Sequence, residues 1–64
     1  MGYRIKECRE AAGMTQTALA EKSGVSRSII NGLETGRTTI TTTETLGNIA
    51  KALNKPVSAI FFPD

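Results

Sequence analysis

The chain has 64 residues, eight Lys and Arg against six Asp and Glu, for a formal net charge of +2, and an isoelectric point near 9.0. That length allows one domain with a small core, and the mild basicity is compatible with nucleic acid without being diagnostic of it. A single cysteine and no histidine exclude an internal disulfide, a Cys-His dyad and a mixed Cys/His zinc site, and the scattered carboxylates at Glu7, Glu10, Glu21, Glu34, Glu44 and Asp64 form no visible catalytic cluster.

Met1 and Gly2 read as a frayed end. Tyr3–Ala12 reads as a first helix, with Ile5, Cys8 and Ala12 at helical spacing and Gly13 as its C′ residue. Cys8 reads either as a small buried hydrophobe or as a reactive thiol, and Met14 as core between the first two helices. Thr15 is an N-cap for a second helix, Gln16–Ser23, which Gly24 ends in the left-handed region. Only Val25 separates that turn from Ser26, a second N-cap, and a third helix follows over Arg27–Thr35, stopped by Gly36. Two helices this short and this close must cross sharply, as in a helix-turn-helix over about residues 16–35. Leu19, Val25, Ile30 and Leu33 are apolar, and Ala20 is small where the axes come nearest. On the third helix Ile30 and Leu33 share a face with Glu34 beside them. Ser28, Gly32 and Thr35 take the opposite face with Asn31 on its flank, a small, polar, uncharged surface suited to a DNA major groove.

The threonine-rich segment from Arg37 to Thr41 reads as a loop with Ile40 tucked on the core, because β-branched residues serve helix interiors poorly. Thr41-x-x-Glu44 matches a capping box for a fourth helix, although Thr42 is also a candidate cap. That helix runs to about Asn54 on the stripe Leu46, Ile49, Ala50 and Leu53. Gly47 inside it costs up to about 1 kcal/mol relative to alanine, which close packing against a neighbour or a second subunit would explain. Asn54 can end the helix left-handed, and Pro56 blocks its extension. Ser58 reads as the cap of a last short helix, Ala59–Phe62. The expected class is all-α: five short helices in one domain over residues 1–64, without strands.

The pattern TQ-x-x-LA-x-x-x-GVSRS-x-I-x-x-LE-x-G, flanked by IKECR and ETLGNIAKALN, resembles the phage repressor and Cro-like helix-turn-helix proteins, including the small bacterial regulators named after xenobiotic-response elements. The resemblance covers about Tyr3 to Phe62 and implies a compact, lambda-repressor-like domain that binds double-stranded DNA as a transcriptional regulator. It implies an ion pair between Arg9 and Glu34, a backbone contact from Gln16 and Thr42 as the fourth cap. Gly32 departs from a position where relatives often place a base-contacting side chain. Thr35 departs from the asparagine common there.

Arg27 and Ser28 are the leading base-reading candidates, since arginine can meet guanine O6 and N7 with two donors; Ser26, Asn31 and Gly32 rank second. The competing role for Arg27 is a phosphate contact. Gln16, at the positive end of the second helix, Thr35, Arg37 and Thr38 are phosphate candidates, against a plain solvated turn for Arg37 and Thr38. Related domains bind palindromic operators as two-fold dimers, so a homodimer on DNA is expected, with Phe61, Phe62 and Pro63 and the turn between the last two helices at its contact. No cofactor or metal is implied. The N-terminus lacks the apolar run of a signal peptide, no stretch reaches the roughly 18 apolar residues of a membrane span, and the expected location is the cytoplasm. The alternative is a small helical interaction module, such as an antitoxin or adaptor.

Overall fold

A computed structural model describes residues 2–37 and 42–62. In chain order these form β1 (Gly2–Tyr3), α1 (Ile5–Ala11), α2 (Gln16–Ser23), α3 (Arg27–Thr35), α4 (Thr43–Ala52), α5 (Val57–Ile60) and β2 (Phe61–Phe62). The architecture is all-helical apart from one two-residue antiparallel pairing between the ends of the described chain.

Local chemistry sets the helix ends. Thr15 Oγ1 accepts from the Ala18 amide at 3.0 Å and Ser26 Oγ from the Ile29 amide at 3.2 Å, each satisfying a first-turn N–H that has no partner within its helix. Thr42 does the same for Thr45 at 3.1 Å, which places the fourth cap at Thr42. Gly24 at φ 72° and Gly36 at φ 81° take the left-handed conformation that a side chain disfavours, so α2 and α3 stop where the sequence placed their ends. Asn54, at φ 58°, takes the same turn after α4, and the Lys55 amide donates back to the Ala50 carbonyl at 2.9 Å. The helix itself ends at Ala52, two residues short of the expected Asn54.

The two chain ends differ from expectation. The first helix begins at Ile5 rather than Tyr3, because Tyr3 pairs with Phe61 and Gly2 with Phe62. The Arg4 amide donates to the Ile60 carbonyl at 2.9 Å, and the Tyr3 and Phe61 rings lie 5.5 Å apart between centroids. Gly2 is therefore ordered in a strand rather than frayed. The last helix is Val57–Ile60, not Ala59–Phe62, so Ser58 lies inside it and Pro56 stands at its N-cap. Proline has the backbone geometry to enter a helix there, and its carbonyl accepts from the Ala59 amide at 2.9 Å. Phe61 and Phe62 leave the helix for β2.

One core joins all five helices. Ile5, Leu19, Ile30, Ile49 and Ile60 are fully enclosed, one from each of α1 to α5, with Val25, Leu33, Leu46, Ala50, Ala52 and Leu53 around them. Met14, Ala20 and Cys8 pack half-buried against it, so Cys8 sits as a small hydrophobe at the margin of the core. A Cβ added at Gly47 would meet nothing within 4 Å, so close packing within the described chain does not explain that glycine. The expected positions of Ile40, Thr41 and the rest of their loop lie outside the described residues. Among the described residues no helix is long and apolar enough to cross a membrane.

Candidate nucleic-acid interface

The interface is built on α3 and the turn that follows it. The enclosed Ile30 and Leu33 fix the rotation of this helix, pinning one side against α1 and α2. The first turn then faces outward, with Arg27, Ser28 and Ile29 all exposed. Arg27, Ser28, Asn31 and Arg37 line a polar notch along this face. Among the described residues it carries two arginines and no carboxylate, because Glu34, the acidic residue of the helix, is turned inward.

Glu34 is held by Arg9 as the family resemblance implied. Arg9 Nε donates to Glu34 Oε2 at 2.7 Å and Nη2 to Oε1 at 3.1 Å, a two-pronged contact between side chains that are 11% and 3% exposed. The remaining prong, Nη1, donates to the Met14 carbonyl at 2.7 Å and so ties the α1–α2 turn to α3. The hydrogen bond to Glu34 raises the Arg9 pKa further above its ordinary value, burial opposes it, and the attraction of Glu34 and Glu10 adds to it. Arg9 is therefore a fixed cation at every pH at which the fold is useful.

Spacing did not reveal the next links. Gln16 Nε2 donates to Glu34 Oε1 at 3.0 Å, Asn31 Nδ2 donates to Gln16 Oε1 at a longer 3.4 Å, and an Arg37 Nη2 donates to Asn31 Oδ1 at 3.1 Å. A continuous polar chain thus runs from the buried pair to the notch. Gln16, expected to meet a phosphate, is half-buried and gives one amide hydrogen to Glu34. The signal available in the sequence was that Asn31 and Glu34, three residues apart, share the edge of α3 that meets the first turn of α2.

Other expected positions divide. Ser26 is exposed, and its oxygen caps α3. Thr35 is exposed and donates its hydroxyl hydrogen to the Asn31 carbonyl at 2.9 Å. Gly32 is buried, a correction to its place on the outward face: without a side chain it projects nothing beyond a backbone that its surroundings cover. Ile29, which the sequence reading passed over, is 42% exposed. It lies on the same side of α3 as Leu33, four residues on, but at the edge of the core. Phe61 is half-buried against Tyr3 in its own chain. The side chain of Phe62, together with Thr38 and Pro63, lies outside the described residues.

Comparison with known proteins gives one positive finding. A model of the helix-turn-helix family matches residues 5–60, spanning all five helices. No curated protein matches at a significant level. With the crossing of α2 and α3, their caps and their left-handed glycine stops already in place, that match settles the class: the chain belongs to the phage repressor and Cro-like helix-turn-helix family, a DNA-binding rather than an enzymatic one.

Proposed function

We propose that this protein is a sequence-specific regulator that lays α3 in the major groove of double-stranded DNA and α2 across the backbone. The observation that carries the reading is the notch on α3, where two arginines and a serine face outward while the helix's carboxylate is turned into the core. A groove floor of donors and acceptors between phosphates favours such a surface, and an exposed carboxylate there would oppose it. Arg27 reads a guanine through two parallel donors, Ser28 contacts a neighbouring base edge, and Ser26 is a secondary contact. Ile29 offers an apolar edge for a thymine methyl group. Gln16 holds a phosphate through its second amide hydrogen while the first stays on Glu34.

Two copies bind a palindromic operator, with half-sites one helical turn, roughly 34 Å, apart. The exposed turn over Asn54, Lys55 and Pro56, with α5, is the surface available for the mate, since the Phe61 ring is committed to Tyr3. The protein acts in the cytoplasm. Selection of bound sequences from a random duplex pool tests the whole reading. An enriched, two-fold symmetric sequence is the expected result. Failure to enrich any sequence would overturn it in favour of a helical protein-interaction module.

A further inference from the structure

The polar chain between core and notch has a direction, and the direction is dictated from its buried end. An ionised carboxylate only accepts hydrogen bonds. Glu34 therefore orients the Gln16 amide with Nε2 toward itself, which turns Gln16 Oε1 to Asn31. Asn31 must then present Nδ2 to Gln16 and Oδ1 outward, and that oxygen is what holds Arg37 at 3.1 Å. A surface amide is ordinarily free to flip; this one is set by a charge two side chains away.

The consequence falls on Arg37. It follows α3 in sequence, where a loop arginine would be assigned to phosphate, yet Asn31 draws its guanidinium back along the helix into the notch that Arg27 and Ser28 line. The bond to Asn31 engages one of five guanidinium donors, which leaves a paired edge for a second acceptor group. We propose that Arg37 is a specificity-determining residue that reads a base edge, guanine by its chemistry, beside the one read by Arg27. Asn31 and Gln16 are positioning residues that hold it there. The inference rests on the DNA-binding reading above and changes two expectations drawn from the sequence: Arg37 moves from phosphate to base, and Asn31 from base to support.

Arg37→Ala, Arg37→Lys, Asn31→Ala and the Arg37→Ala/Asn31→Ala double variant are measured on the selected site, on all its single-base variants and on scrambled DNA, over a salt series. Thermal melting confirms folding, which substitution at exposed Arg37 and at half-buried Asn31 leaves intact. Arg37→Ala is expected to flatten preference at one base pair by about tenfold or more, with a smaller loss on scrambled DNA. Arg37→Lys keeps the charge and fails to restore the preference. Asn31→Ala weakens preference at the same base pair, and the double variant is no worse there than Arg37→Ala alone. An equal loss on every sequence, with the salt slope reduced by about one, would make Arg37 a phosphate contact and overturn the proposal. Full rescue by lysine, or independent losses from the two alanine variants, would overturn it as well. If the unmodified protein selects no sequence, the DNA-binding reading fails first and this inference with it.

Discussion

The two ends of one hydrogen-bonded chain show how differently the same residue types behave in this protein. At the inner end, Arg9 and Glu34 are nearly enclosed, meet at 2.7 and 3.1 Å, and have no room to serve a ligand. At the outer end, Arg27 and Arg37 border an open notch, with the Arg37 guanidinium resting on a neutral amide rather than a carboxylate. Desolvation separates them. A buried arginine is locked to its counter-charge because losing it strands an ion, whereas an exposed arginine can exchange an amide or water for a base or phosphate at little cost. Packing thus consumes the inner arginine and leaves the outer pair available for binding.

The largest expected effect lies at the inner end of the polar chain. Glu34→Ala leaves the Arg9 charge buried without its partner and is expected to destabilise the fold by about 3–5 kcal/mol, enough to unfold a domain this small. Chemical denaturation measures it, and a loss below about 1 kcal/mol would place the pair among ordinary surface contacts. At the outer end, Arg27→Ala should leave melting unchanged and cost about 1–3 kcal/mol in binding to the preferred site. Ser26→Ala removes the cap that starts α3 between the two ends, and should cost about 1 kcal/mol of stability by denaturant titration.

Two smaller effects sharpen the contrast. Gly47→Ala, on α4 and outside the polar chain, should stabilise by about 0.4–1 kcal/mol, because the added methyl meets open space among the described residues and the backbone gains helix propensity. A destabilised variant would reveal a contact with a second subunit at that surface. The Arg9 contribution has its own sign in pH. Its folded pKa is raised above the unfolded value, so the stabilisation is fully present below the ordinary arginine range and is lost only as pH rises through and beyond it. With no histidine in the chain, melting between about pH 6 and 8 should show no step from Arg9. A step that Arg9→Met abolishes would contradict that.

How much of this was legible in the sequence follows from the range of each interaction. α2 and α3 were read to the residue, because Thr15, Ser26, Gly24 and Gly36 act within one turn of themselves. The Arg9–Glu34 pair came from the family resemblance, since a separation of 25 positions in the chain carries no local sign of it. The bonds of Gln16 to Glu34 and Asn31 were not legible for a related reason: its place at the start of α2 was, but its partners depend on how α2 crosses α3. The outward face of Gly32 and Thr35 was read from helix angle, which gives direction but neither what covers a backbone nor where a hydroxyl hydrogen goes. The pairing of Tyr3 with Phe61 joins opposite ends of the chain, and aromatic residues near a terminus do not announce a partner so distant.

Under the proposed function, Arg27 on α3 reads sequence while Arg9 on α1 only holds the fold. The most direct test is the affinity of Arg27→Ala, relative to the unmodified protein, for the selected operator and for a scrambled duplex of the same length and composition, over a salt series. The expected result is a loss of about 1–3 kcal/mol on the operator, a much smaller loss on the scrambled duplex, and flattened preference at one base pair. Equal losses on both duplexes, with the salt slope falling by about one, would contradict it and leave Arg27 a phosphate contact.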